Sequence, residues 1–194
     1  MNKKEIFAIL IRCISVPWVW ATMLLLILYL FGQDVFTNIF EFMFSILFLV
    51  IIPFALYPLQ SFIPKYRDKG REGQRNLAFI FSFFGYILAV LYGLFTHTTT
   101  ALLLIFVLYF SSWLILWVSN KIIKFRSSGH ICGITGPMIL LIYFIGWQFI
   151  ILCSILFGFI CWASLILKRH TVKEIIGGCV SCGVAFICSL VIVF

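Results

Sequence analysis

Apolar residues in this chain fall in long, nearly unbroken blocks separated by short polar breaks. About 20 such residues are enough for a helix to cross a bilayer, so each block predicts a membrane-spanning helix. The first block runs from about Ile6 to Phe31, with Arg12 near its start, where a long side chain can snorkel to the headgroups. Gly32, Gln33 and Asp34 turn the chain into a second block, from about Val35 to Phe62. The longest hydrophilic stretch follows, Pro64 to Asn76. The third block is about Leu77 to Phe95 and the fourth about Ala101 to Ser119, with a Thr-His-Thr-Thr-Thr run from Thr96 to Thr100 between them. A second polar break spans Asn120 to Gly129. The fifth block, His130 to about Trp147, turns near Gln148 into a sixth that ends near Leu167. Lys168 to Glu174 is the last break, and a seventh block runs to Phe194. The expected fold is all-α, a polytopic transmembrane helix bundle. Seven spans is the count, and the tight turn at Gly146 to Gln148 and the prolines of the first two blocks leave six as the alternative.

Composition then limits what such a bundle can do. Of 194 residues, 64% are apolar and 10% charged, with a mean hydropathy of +1.19. Soluble domains carry roughly a quarter charged residues, so water is not the main solvent here. The length is used up by spans, which leaves no separate soluble catalytic domain. Any chemistry must sit in short loops and helix ends. A disordered chain, a collagen-like repeat and a secreted disulfide scaffold are excluded by the same numbers. Cys179 and Cys182 form a C-x-x-C, but with no second pair or neighbouring histidine they read as small residues at helix contacts. The N-terminal Met-Asn-Lys-Lys-Glu and its apolar run lack a small-residue cleavage site, so they are expected to remain as an anchor.

The charge is +8, carried by 14 cations concentrated in a few loops. In a soluble protein that balance suggests nucleic acid, whereas here it has the form of orientation and headgroup charges, and no nucleic-acid partner is expected. Placing the loops on alternate sides puts Lys3, Lys4 and Arg12 on one side. Lys65, Arg67, Lys69, Arg71 and Arg75 fall there too, as do Lys121, Lys124, Arg126, Lys168, Arg169 and Lys173. The other side holds Asp34, the threonine-rich run and Gln148, with no Lys or Arg. Short-loop bias of this kind predicts a multi-pass protein of the cell membrane whose N-terminus and basic loops face the cytoplasm.

Two of the basic loops also carry a histidine. One reads Arg126-Ser127-Ser128-Gly129-His130, followed by Gly133 and Gly136; the other reads Lys168-Arg169-His170, then Glu174, Gly177 and Gly178. His170 and Glu174 are four apart and share a face if the helix has begun, where a carboxylate would fix the imidazole tautomer. Ser128 and Gly129 precede a helix start, whose free amides and dipole favour an anion. The glycines allow close helix approach, which would bring the two heads together. Cations, helix-end amides and two imidazoles on one face describe a phosphate site.

These residues resemble the type 2 phosphatidic acid phosphatase superfamily of integral-membrane lipid phosphatases. Ser128-Gly129-His130 is similar to its second signature, with Ser127 where that family has proline. His170 and Glu174 are similar to the third, with Glu in place of Asp. Arg71 and Arg75 stand where the first would fall, with Asn76 in place of its proline. The resemblance covers roughly residues 60 to 185. It divides the chain into N-terminal spans over 1–63 and a phosphatase-like core over 64–194, with its three segments at 64–76, 126–137 and 164–178. One departure stands out: the third-signature arginine falls on Ser164. Lys168 or Arg169 is expected to supply the charge, with Arg126 helping.

What the resemblance implies is metal-independent hydrolysis of a lipid phosphate monoester or diphosphate, at a site on one membrane face built from three basic loops and helix ends. The substrate class includes phosphatidic acid, phosphatidylglycerol phosphate and polyprenyl diphosphates. His170 attacks phosphorus to form a phosphohistidine, Glu174 holds its tautomer, and His130 serves the leaving group and then the water. Arg71, Arg75, Arg126, Lys168, Arg169 and the Ser128 and Gly129 amides bind the phosphate. No cofactor and no metal are implied, and the chain has only six acids, with no cluster of the kind that holds magnesium. The Ser164 departure leaves a catalytically silent lipid-phosphate binder as the alternative. A transporter would need polar residues near mid-membrane, and the blocks offer almost none. Asp68 is expected either to pair with Arg71 or Arg75 or to be solvated, Glu41 has no evident partner, and His97 reads as a loop residue. Oligomeric state is not legible.

Overall fold

A computed structural model describes residues 2–32 and 34–194; Gln33 of the first turn and the side chain of Arg71 lie outside the described residues. The described chain is helical, with no strand. We label the main helices α1 (Lys3–Ile14), α2 (Pro17–Phe31), α3 (Ile39–Phe62, interrupted), α4 (Gly70–Phe95), α5 (Thr100–Trp117), α6 (Gly129–Ile145), α7 (Phe149–Ile166) and α8 (Val172–Val193).

The first apolar block does not form one rod. Pro17 lacks an N–H and fixes its own φ, and Val16 before it is extended at φ −71° and ψ 141°. The result is an elbow of 52° between α1 and α2. In α3, Pro53 and Pro58 leave short α, π and 3-10 turns in place of a regular helix. Gly85 of α4 accommodates this irregular backbone, because a Cβ there would collide with the Phe48 carbonyl.

Among the described residues, five elements are long and apolar enough to cross a membrane: Ile39–Phe62, Glu72–Phe95, Thr100–Ile122, Phe149–Ile166 and Val172–Val193. The bent α1–α2 pair makes six if it counts as one span. α6, expected as the fifth of seven spans, is apolar but has 17 residues, about 26 Å at 1.5 Å per residue. The structure therefore gives five to six spans of full length where six to seven were expected.

α5 lies at the centre. Leu102, Leu104, Ile105 and Phe106 have no exposed surface, and Leu108 is almost as enclosed. α4, α6 and α8 pack around it, α2 packs on α6, and α1 packs on α7. The outer faces are apolar as well: Phe84, Ile151, Ile187 and Val191 are all exposed. A surface of this kind belongs in lipid, and the chain is a multi-pass membrane protein on this evidence of length and composition. At one end of the bundle the loops before α3 and α5 meet, where the Thr99 hydroxyl donates to the Val35 carbonyl at 2.7 Å. At the other end, the segments leading into α6 and α8 are tied together.

Candidate active site

The segment before α6 is shaped by polar groups at the end of α5. That helix widens into a π turn over Val118–Ile122, and Lys124 then adopts a left-handed φ of 59°. Asn120 clamps the returning strand of chain: its Oδ1 accepts from the Ser127 N–H at 3.1 Å, and its Nδ2 donates to the Ser127 carbonyl at 3.2 Å. The Ser119 and Ser127 hydroxyls meet at 2.8 Å. Ser119 and Asn120 were not singled out from the sequence, where they mark only the start of a polar break.

Ser128 follows as the N-cap of α6. Its Oγ accepts the Ile131 N–H at 3.2 Å, which satisfies one of the helix's orphan donors. Its own N–H donates to the Glu174 carbonyl at 3.0 Å. The Ser128 amide, expected to face a phosphate, is thus taken up in tying the two helix heads together. The approach depends on glycine. A Cβ on Gly178 would lie 2.6 Å from the Ser128 carbonyl oxygen, and one on Gly177 would lie 2.7 Å from Ser127 Oγ. At Gly136, by contrast, an added Cβ would make only ordinary contact with Cys182 Sγ, at 3.6 Å, and every cysteine is a free thiol.

At the head of α8, Thr171 and Glu174 form a capping box. The Thr171 Oγ1 accepts the Glu174 N–H at 3.3 Å, and Glu174 Oε2 accepts the Thr171 N–H at 3.2 Å. His170 therefore precedes the helix rather than lying on its face. It still reaches Glu174, with Nδ1 and Oε2 3.1 Å apart. The other carboxylate oxygen, Oε1, receives Arg126 Nε at 3.0 Å. On the far side of the imidazole, Nε2 and Ser128 Oγ are 3.2 Å apart. A carboxylate can only accept, so this network places a proton on Nδ1; in the neutral ring Nε2 then carries a lone pair, which the Ser128 hydroxyl meets as donor. Burial pushes the His170 pKa below its ordinary 6.5; the hydrogen bond it donates to Glu174 opposes this, while the Arg12 and Arg126 charges add to it. The net effect favours the neutral imidazole.

His130, the second residue of α6, brings its ring to 6.3 Å from that of His170, with the planes within 19° of parallel. Its Nε2 is buried and makes no hydrogen bond among the described residues. Beside His170 lies a cleft of about 310 Å³ walled by Arg126, Leu165, Lys168, Arg169, His170, Thr171 and Glu174. Lys168 takes a left-handed φ of 50°, and the Arg169 N–H donates to the Ser164 carbonyl at 3.0 Å. This turn sets both cations on the cleft wall. Ser164 itself is buried in the last turn of α7.

The other expected residues are more dispersed. Arg75 is exposed on α4, one turn before Phe79, which packs against Leu116, Cys132 and Cys182. The Arg71 side chain lies outside the described residues. Gly129 opens α6 and is exposed. Asp68 pairs with Arg67 at 3.6 Å in solvent and, among the described residues, not with Arg75; the alternative partner, the Arg71 side chain, lies outside the described residues. Glu41 is buried as part of the α3 cap, accepting the Thr37 N–H at 2.7 Å. Arg12, read from the sequence as reaching to headgroups, is half-buried with its Nη1 sealed from solvent. No group of three or more His, Cys, Asp or Glu converges among the described residues. Neither a family model, nor a curated protein, nor a solved structure matches this chain.

Proposed function

We propose that this membrane protein hydrolyses a lipid phosphate monoester or diphosphate, as an enzyme related to the type 2 phosphatidic acid phosphatases. The observation that carries this reading is His170, fixed at Nδ1 by Glu174 and presenting an Nε2 lone pair beside a small cationic cleft. Nε2 attacks phosphorus in line, the P–O bond to the lipid breaks, and a phosphohistidine forms. Release of the Ser128 hydroxyl from Nε2 frees the lone pair and gives the substrate a hydrogen-bond donor. Arg126, Lys168 and Arg169 neutralise the phosphoryl oxygens, which is the main source of rate in such transfers.

His130 is the group that would protonate the leaving oxygen and then deprotonate the attacking water. A bound phosphate dianion favours its protonated form, so substrate binding itself would load the acid. The same charge bias that separates the loops favours a cytoplasmic site and hence a biosynthetic lipid as substrate.

Phosphate release by the purified protein, offered a panel of lipid phosphates and diphosphates in excess EDTA, tests the proposal. Turnover that survives chelation and disappears in His170→Ala and His130→Ala supports it. Binding of a lipid phosphate without turnover would instead favour a silent relative, in which Ser164 marks the lost function. Turnover that persists in His170→Ala would overturn the histidine mechanism.

A further inference from the structure

The cations that wall the cleft all come from the loops before α6 and after α7, and one of them, Arg126, is already engaged by Glu174 through Nε. A further cation arrives from a different part of the chain. α1 packs along α7, where the Phe7 ring lies 6.0 Å from that of Trp162, near the end of α7. Beyond the elbow, Pro17 is pressed onto α6 one turn after His130: a Cβ on Gly133 would stand 2.8 Å from the Pro17 Cβ. Arg12 lies between these two anchor points. Its carbonyl accepts the hydroxyl of the buried Ser15 at 3.4 Å, which ties the last turn of α1 into the elbow. Its guanidinium is partly enclosed, and its charge reaches both His130 and His170.

A guanidinium stays charged at every physiological pH, and it presents a planar fork of donors that matches phosphate oxygens. Toward the two imidazoles its charge only disfavours their protonated forms. It therefore contributes nothing to an acid–base pair by itself. It does contribute to an anion held next to both rings.

We propose that Arg12, carried by the N-terminal helix, is an anion-binding residue of the His130–His170 site and holds the phosphate group of the substrate. The lipid identity of the substrate rests on the phosphatase reading above; the recognition of a tetrahedral oxyanion does not. α1 then completes the site, and its packing on α7 is part of phosphate binding.

The test uses the full-length protein in detergent and two probes, inorganic phosphate and phosphatidic acid in mixed micelles. Arg12→Met keeps the length and loses the charge, Arg12→Lys keeps the charge, and Arg12→Gln is a second neutral variant should methionine pack badly. Titration with inorganic phosphate is followed by the rise in melting temperature. The wild type is expected to respond saturably, and each neutral variant to bind at least about tenfold more weakly, with Arg12→Lys losing less. The ratio kcat/KM for phosphatidic acid should fall in the same order. A neutral variant that folds and binds phosphate within about twofold of the wild type overturns the inference, as does equal loss in Arg12→Lys and Arg12→Met, which would indicate packing. A wild type that binds inorganic phosphate through Arg12 but hydrolyses no lipid supports the inference and removes the phosphatase reading. A folded neutral variant that hydrolyses lipid as well as the wild type does the reverse. No phosphate response in the wild type overturns both.

Discussion

The backbone N–H of Ser128 donates to the carbonyl of Glu174 at 3.0 Å, while the side chains of the same two residues hold opposite nitrogens of His170. The heads of α6 and α8 are therefore joined twice, once through main chain and once through an imidazole. A displacement of either helix would disturb both connections, so the position and the tautomer of His170 are set by the same contact.

Replacing Glu174 with Gln keeps a capping acceptor but removes the charge paired with Arg126 and His170. An amide can also donate to Nδ1, which would move the ring proton to Nε2 and, on the proposed mechanism, silence the nucleophile. Phosphate release should fall by about 10²- to 10⁴-fold. Steady-state assays beside a thermal melt would separate this from unfolding; near-normal turnover would remove Glu174 from the mechanism.

The pH dependence follows from the lowered pKa of His170. The unfolded chain takes up a proton near the ordinary value of 6.5, and the folded site resists it. This contribution to stability is complete above pH 6.5 and is lost as the pH falls from there toward the folded pKa. Melting temperature should drop more steeply between pH 7 and acid in the wild type than in His170→Gln. Equal slopes would show that the imidazole is not held neutral by burial.

Gly178→Ala would place a Cβ 2.6 Å from the Ser128 carbonyl oxygen, a backbone atom with little freedom to move. The cost is expected to be about 1–3 kcal/mol, with loss of the proposed phosphate release as the heads separate. Gly183, on the same helix, has open space around its Cβ position, so Gly183→Ala should be neutral or stabilising. Parallel melts of the two variants check this pair.

Asn120→Ala removes both hydrogen bonds to the Ser127 backbone and a third, to the Leu116 carbonyl at 2.8 Å. Destabilisation of about 1–3 kcal/mol is expected, and faster amide exchange at Ser127 and Ser128 would localise it. Unchanged exchange there would mean that the serine hydroxyls alone hold the segment.

The helical bundle is legible in the blocks because apolar composition and length suffice to define a span. The number of full-length spans is less so: hydropathy registers Pro17 as one residue, whereas its backbone constraint divides the first block into two helices. Around the candidate site, spacing brings His170 and Glu174 into reach, and the paired glycines indicate where α8 and the α6 segment touch. The sequence does not reveal that His170 lies outside the helix, because a capping box and an i to i+4 face use the same spacing. It also hides Asn120, whose role depends on a π turn, and the burial of Arg12, which requires knowing how α1 folds back on α7.

The hydrogen bonds of the Thr171–Glu174 box begin α8 and also fix His170. Fraying of that first turn, the ordinary fate of a helix end on warming or in a harsh detergent, would release the imidazole with it. On the proposed mechanism, the chemically competent fraction of molecules is then the fraction in which α8 is wound to its first residue. Inactivation should then begin at temperatures where the rest of the bundle remains intact, which makes turnover a more sensitive gauge of this helix than any measure of bulk helicity.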